Sequence, residues 1–317
     1  MSAPEASVVV PAHGRALRLR WLLNALEDQT LDAERFEAIV VHDGTDAGIA
    51  GALRDHPEVR EVRVGRGTGT APVQRNAGWR AAAAPLVVFT DDDCRPPREW
   101  LERALAAARA NPGAIVQGAV RPDPDEEALV QRAPHARTLT VEPPSAWGQT
   151  ANIAYPREVL ERAGGFDETL PAVDDTDLEQ RALGAGARLV AAPDAVTFHA
   201  VHAAGLGTLL RSLWRWQHVP AVVKRHPHLR EGMPLRIFWK ERHASFLLAV
   251  GGALLARRRP TALVLVLPWV RAALPAYGAS TRGRARAASE LPGRALADGT
   301  EVLALVRGSV RHRTILL

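Results

Sequence analysis

The sequence predicts an α/β fold: a mostly parallel sheet with helices on both faces, followed by a helical appendage. Three observations carry this. Through the first two-thirds of the chain, short apolar runs alternate with amphipathic segments, as strand–helix repeats do. One run, Leu86–Phe89, follows Pro85 and leads into three consecutive carboxylates, Asp91, Asp92 and Asp93. That is how a buried parallel strand delivers residues to the carboxyl edge of a sheet, where ligands of open α/β sheets gather. Beyond residue 204 the pattern changes to apolar stretches interleaved with arginine and almost no acid. Domains are therefore expected at 1–204 and 205–317.

The elements follow in order. Ser7–Pro11 is apolar and reads as the first strand. A helix is expected over Leu17–Gln29, because Leu19, Leu22, Leu23 and Leu26 share one face. Phe36–Val41 is the second strand, ending in the turn sequence HDGTD, where Gly44 can take positive φ. Val59–Val64 alternates as a third strand. The loop GRGTGT leads to a helix over Pro72–Ala84, then to the aspartate strand. Trp100–Arg109 reads as helix and Ile115–Val120 as strand. Pro122–Pro144 holds five prolines and several acids, which predicts a mobile excursion over the site. Arg157–Ala163 is a helix, followed by the turn GGFDE. Asp174, Asp175 and Asp177 then open another helix, whose buried side is Leu178, Ala182 and Leu183. Two short strands, Leu189–Ala192 and Ala195–Phe198, lead to His199 and His202.

Composition bounds the chemistry. Cys94 is the only cysteine, which excludes a disulfide framework and a thiolate zinc site. The opening MSAPEAS has neither a basic nor an apolar leader segment, so a reducing, cytoplasmic setting is expected. The net charge of +5 hides an asymmetry: residues 1–199 hold 21 Arg against 30 acids, and residues 200–317 hold 19 basic residues against five acids. The tail's arginines flank apolar runs and Trp214, Trp216, Trp239 and Trp269, a pattern that fits an anionic membrane surface better than nucleic acid. The apolar runs Ala244–Ala256 and Thr261–Val270 fall short of the roughly 20 residues that span a bilayer. Arg257–Arg259 between them would snorkel to phosphates if the pair lay in one leaflet. A helical cap packed on the first domain is the alternative. Glu301–Leu317 reads as an interfacial or packing helix.

Three adjacent like charges repel, and a hard cation is the usual remedy. In extended chain Asp91 and Asp93 point the same way and would face one cation, with Arg95 the only basic neighbour in sequence. The bland alternative is a solvated loop that caps the following helix. Acids at the Asp174–Asp177 helix start serve the helix dipole equally well, and a histidine after a strand is commonly structural.

Seven fragments in order, SVVVPAHGR, VVHDGTD, QRNAGWRAA, VVFTDDDCRP, GGFDE, DDTDLEQR and PDAVTFH, resemble the inverting family-2 glycosyltransferases of the GT-A fold. They cover roughly residues 7–202. The resemblance implies a nucleotide-diphosphate sugar donor, with UDP the expected nucleotide and GDP or dTDP the alternatives, and transfer to an acceptor hydroxyl on a saccharide, lipid-linked or other molecule. Pro11, Ala12, Asp43 and Arg75 would line the nucleotide-sugar pocket together with Asp91 and Asp92. Asp93, Asp91 and His199 would hold a divalent cation, Mn²⁺ or Mg²⁺, which neutralises the leaving diphosphate. Asp175 would be the general base. Two departures bear on base recognition: His42 stands where family members often have an acid, and PAHGR replaces the commoner Pro-Thr-Tyr-Asn-Arg. The expected enzyme works at the cytoplasmic face of the cell membrane. A polyprenyl-phosphate acceptor, or a catalytically degenerate membrane scaffold, is the alternative.

Overall fold

Parallel pairing organises the start of the chain. The computed structural model describes residues 3–275, 277–278 and 280–317. β1 (Ala6–Pro11) leads through α1 (Ala16–Glu27) to β2 (Phe36–His42), and α2 (Ala47–Asp55) leads to the edge strand β3 (Arg60–Arg63). α3 (Ala71–Ala81) returns the chain to β4 (Leu86–Phe89), on the other side of β1. These four strands are parallel in the order β3-β2-β1-β4. A two-residue β5 (Cys94–Arg95), α4 (Trp100–Ala110), β6 (Ile115–Pro122) and a short α5 (Glu127–Arg132) follow. β7 (Ile153–Pro156), α6 (Arg157–Ala163), α7 (Asp174–Gly184) and β8 (Leu189–His199) complete the sheet, whose far side runs β4-β7-β6-β8-β5.

The sheet is mixed, with six of its eight strands running one way, in line with the mostly parallel expectation. β7 runs antiparallel to both β4 and β6, and β5 is antiparallel to β8. The reversal matters for the site. An antiparallel neighbour places its incoming loop at the carboxyl end of β4, and Ile153 pairs with Phe89 there. Thr90 Oγ1 donates to the Ala151 carbonyl at 3.0 Å, fastening that loop beside the aspartates.

Strand alternation divides the core between two faces. Val8, Val10, Val40 and Val88 pack under Leu19, Leu22 and Leu23 of α1 and Trp100 and Leu101 of α4. Val9, Val41, Val87, Phe89 and Tyr155 pack against Trp79 of α3, Leu160 of α6 and Leu178 of α7. α3 sits so close to β1 that a Cβ on Gly78 would lie 2.3 Å from Val9 Cγ1. The third strand is shorter than expected, and α2, capped by Asp46 accepting from Gly48 N at 2.7 Å, was not expected. The two strands expected after Arg188 are one. β8 pairs Ala192 with Gly118 and Val196 with Ala119, so Pro193–Ala195 form a bulge with Pro193 and Asp194 exposed, where proline's missing donor does no harm, and Ala195 buried. The proline-rich excursion is built into structure: Val120 and Val141 bridge, and α5 forms within it.

Residues 3–127 and Thr138–Val201 form one compact unit; Ala128–Arg137 and His202–Leu317 form a second. The second unit is helical: α8 (Leu206–Leu213), α9 (Val219–Arg225), α10 (Glu241–Leu255), α11 (Leu267–Ala273) and the 32-residue α12 (Thr281–His312), joined by 3₁₀ turns. The segment expected as a separate terminal helix from Glu301 is the last part of α12. Two buried carboxylates of α12 hold its neighbours: Asp298 accepts from Arg242 Nε at 2.7 Å and Trp269 Nε1 at 2.8 Å, and Glu301 from Lys240 at 2.7 Å. Burial opposes ionisation of Glu301, yet His243 and Lys240 hold its carboxyl down at about 2. Among the described residues, no helix is long and apolar enough to cross a membrane.

Candidate functional site

The three aspartates after β4 do not lie in extended chain. Cys94 N donates to the Asp91 carbonyl at 3.0 Å, closing a turn that sends the side chains to different partners. Asp91 pairs with Arg75, while Asp93 lies against Arg15, whose charge also acts on Asp91. Arg95 is not their basic neighbour, since it turns away to Asp123 at 2.6 Å and to Asp125. The basic neighbours are Arg15 and Arg75, brought from 76 and 16 residues upstream of Asp91.

Arg15, from the loop after β1, grips two carboxylates. Its Nε and terminal nitrogen donate to Asp92 Oδ1, the former at 2.8 Å, and its other terminal nitrogen lies 2.9 Å from Asp93 Oδ2. His13 N adds a bond to Asp92 Oδ2 at 2.9 Å. Asp92 is completely buried, and burial pushes its carboxyl up to about 6 against the pull of Arg15. It braces the β1 loop against the end of β4. Pro11 and Ala12 are buried at the close of β1, where Ala12 O accepts from Gln74 Nε2 at 3.2 Å. Asp43, at the end of β2, accepts from Thr45 Oγ1 at 2.6 Å and Thr45 N at 3.1 Å, which hold its pKa down. Gly69 packs against it: a Cβ there would come within 2.9 Å of Asp43 Cβ. His42 is turned aside, with Nδ1 accepting from Gly44 N at 3.1 Å and Nε2 on Glu61 at 2.7 Å.

Arg75 ties the end of β4 to the start of α7. Its guanidinium is buried, 2.9 Å from Asp174 Oδ2 and 3.1 Å from Asp91 Oδ1, above the Phe166 ring. The next residue, Asn76, fixes the GGFDE turn by donating to Phe166 O and accepting from Phe166 N, both at 2.9 Å. Asp175 follows Asp174 at the first turn of α7. Thr176 N donates to its Oδ1 at 2.8 Å, yet burial, reinforced by the charge of Asp174, raises its carboxyl to about 7. A carboxyl poised there is suited to accept a proton at neutral pH. The backbone before it is strained: Val173 has φ of 62°, a left-handed conformation costly for a β-branched residue.

His199 ends β8 opposite Cys94, and this register brings its imidazole to Asp93, with Nε2 3.6 Å from Oδ1. Nδ1 is 2.9 Å from Ala200 O, which can only accept, so in the neutral ring Nδ1 carries the proton and Nε2 presents its lone pair toward Asp93. Two donors bound to one cation at about 2.1 Å, at angles of roughly 90–120°, stand about 3.0–3.6 Å apart. The pair fits a divalent cation with a mixed nitrogen and oxygen shell, the kind Mn²⁺ accepts.

Three features of this site had no role in the sequence reading. Arg15 ends the PAHGR motif, and that was its only signal. Val173 left none. Glu179 lies one helical turn beyond Asp175, buried against Gly148, with burial pushing its carboxyl up to about 8.

The model of glycosyl transferase family 2 matches residues 7–166. The chain belongs to glycosyl transferase family 2. Among its relatives, glycosyltransferase AglE of Haloferax volcanii is 26% identical over 222 residues, 67% of this chain and 71% of that protein. The pre-mycofactocin glycosyltransferase of Mycobacterium tuberculosis is 30% identical over 207 residues, 62% of this chain but only 42% of its own length. Among solved structures, the mannosyltransferase PcManGT of Pyrobaculum calidifontis, in complex with GDP-Man and Mn²⁺, aligns with a TM-score of 0.57 and 25% identity, covering 99% of this chain and 88% of that one. S. aureus TarS 1–349 in complex with UDP-GlcNAc aligns with a TM-score of 0.52 at 15% identity, covering 98% and 92%, a likeness of fold. The mixed α/β sheet of this family-2 glycosyltransferase is consistent with the GT-A fold.

Proposed function

We propose that this glycosyltransferase moves a sugar from a nucleotide-diphosphate donor to an acceptor hydroxyl in one inverting displacement, and that it requires a divalent cation. The observation that carries this is the Arg75 bridge. One buried guanidinium joins Asp91, after β4, to Asp174 at the helix start bearing Asp175, which supports a proton acceptor working near the carboxylates after β4.

The acceptor oxygen attacks the anomeric carbon, Asp175 takes the hydroxyl proton, and the carbon–oxygen bond to the diphosphate breaks with its electron pair leaving on the phosphate. No enzyme nucleophile is needed. A cation held by Asp93 and His199 would supply charge neutralisation for the departing diphosphate. Arg75 keeps Asp91 and Asp174 in place and limits mutual repulsion among the carboxylates. Asp43, Pro11 and Ala12 form the floor on which the nucleotide would lie, at the carboxyl ends of β1 and β2.

The expected donor is a UDP-sugar. GDP-mannose is the second arm, favoured by the likeness to a mannosyltransferase solved with that donor. The test is a panel of UDP- and GDP-sugars with Mn²⁺, read by thermal stabilisation and donor hydrolysis. One nucleotide should stabilise the protein in a metal-dependent way. Failure of every nucleotide diphosphate to bind with Mn²⁺ would overturn the reading and favour a degenerate scaffold. A polyprenyl-phosphate acceptor, already ionised, predicts that turnover survives Asp175→Asn.

A further inference from the structure

The helical pair formed by α10, the Arg257–Arg259 turn and the segment Pro260–Ala273 leaves a row of large aliphatic side chains exposed beside its core. Its interior is built around Trp269, with Phe246, Val266 and Val270 packed against it, and the two segments approach closely over small residues: Ala249 and Ala262 are only 6% and 8% exposed, and a Cβ on Gly252 would meet Leu265 Cβ at 2.7 Å and the Ala262 carbonyl at 2.8 Å. Its large aliphatic side chains face outward. Leu254 is 61% exposed, Leu263 55%, Val264 60% and Leu267 61%. An amphipathic helix in water does the reverse, because the large side chains carry most of the hydrophobic free energy. Close approach over Ala249, Gly252 and Ala262 with leucine outside is common where helices meet apolar surroundings.

The outward residues are ordered. Val250 and Leu254 lie one turn apart on α10, and Leu263 and Leu267 are likewise four apart across the next segment. Residues 242–289 contain eight arginines and no acid; Arg242 and Arg286 are paired with Asp298 and Glu290 of α12, while Arg257–Arg259 carry the charge beside the leucines. Arg257, Arg258 and Arg259 are all exposed, directly beside Leu254 and Leu255. A water-facing patch needs neither these arginines nor these leucines, whereas an anionic lipid surface satisfies both at once. At 15 residues, α10 is about 22 Å long, short of the roughly 30 Å hydrocarbon core, so the geometry suits a helix lying in the interface.

We propose that the outer face of this helical pair, with Leu254, Leu263, Val264 and Leu267 as its inserting side chains and Arg257–Arg259 as its phosphate contacts, docks the protein on an anionic lipid bilayer. The leucines enter the headgroup–acyl boundary while the guanidinium groups stay at phosphate depth. This partner is independent of which sugar is transferred, and docking can fail while the transferase reading stands.

The test is co-sedimentation of the full chain with phosphatidylcholine vesicles containing phosphatidylglycerol, against phosphatidylcholine alone, at low and high salt. The parent should bind the anionic vesicles, and salt should weaken that binding without abolishing it. The triple variant Leu254→Ser, Leu263→Ser, Leu267→Ser changes exposed positions only and should lose binding at least tenfold, chiefly the salt-resistant part. Changing Arg257, Arg258 and Arg259 to Glu should cost about a hundredfold at low salt, roughly a factor of five or more per basic residue. Donor hydrolysis in solution should be unchanged in both variants, which checks that they fold. A parent that ignores anionic vesicles overturns the proposal, as does a serine variant that binds like the parent. So does a soluble parent dimer that the serine substitutions dissociate, because the occupant of the face is then a second copy.

Discussion

Replacing Asp175 by Asn removes the proposed base while keeping its shape, and turnover should fall by roughly 10²–10⁴, the usual contribution of a positioned base. The structure also gives the pH dependence. Burial, with the adjacent Asp174, carries the Asp175 carboxyl from its ordinary 3.8 to about 7, which corresponds to about 4 kcal/mol against the charged form. The base must be ionised to act, so kcat/KM should rise roughly tenfold from about pH 6 to about pH 8 and then level. Stability should move the other way. A pKa raised by folding leaves the native state unpenalised below about pH 4, and that advantage is lost as pH rises through about 7. Asp175→Asn stays neutral, so its melting temperature should exceed the parent's above pH 7, by up to a few kcal/mol in stability, and converge with it at acid pH. The assays are a pH–rate profile under subsaturating donor, donor affinity by thermal shift, and melts at both ends of the pH range. Donor affinity collapsing together with turnover would refute the base assignment, as would an acid limb that persists in the residual activity of Asp175→Asn. A larger loss from Asp174→Asn would move the base by one residue.

Other perturbations test the remaining parts. Asp93→Asn and His199→Ala should each abolish Mn²⁺-dependent stabilisation by nucleotide and most turnover, and full turnover in excess EDTA would sink the metal reading. Arg15→Met strands the buried Asp92, so urea titrations should show a loss of about 1–3 kcal/mol at pH 8, kept below the cost of a fully buried pair by the partial exposure of Arg15. The loss should shrink at pH 5, because Asp92, already raised to about 6, then takes a proton; equal losses at both pH values would contradict that account. Gly78→Ala drives a methyl into Val9 and should cost about 1–3 kcal/mol, measured the same way; a neutral result would mean that α3 can move off the sheet.

Legibility in the sequence followed the range of the interactions. Local patterns fixed Leu86–Phe89 and Arg157–Ala163 to the residue, because apolar period and flanking proline act within a few positions. β7 itself was missed: three buried residues before Pro156 are too short a run to read as a strand, and only pairing with β4 and β6 makes it one. α2 was hidden as well, since two glycines in nine residues weaken the helical signal that its Asp46 cap restores. At the site, residue types were visible and partnerships were not. Asp91, Asp92 and Asp93 read as one cluster, but a single turn bond on Asp91 O divides them between arginines from two other segments. Arg75 and Asp174 stand 99 residues apart, so nothing local says that one neutralises the other. Yet this pairing makes Asp175 intelligible as a base. Arg75 still pulls the Asp175 carboxyl down, but Asp174 and Asp91, held on the same guanidinium, push it up and offset that pull, and burial then keeps it near neutrality. A guanidinium turned wholly toward Asp175 would hold it well below the pH at which proton acceptance is useful. The basicity of Asp175 thus depends on two other carboxylates offsetting Arg75, an arrangement that exists only once β4, α3 and α7 have come together.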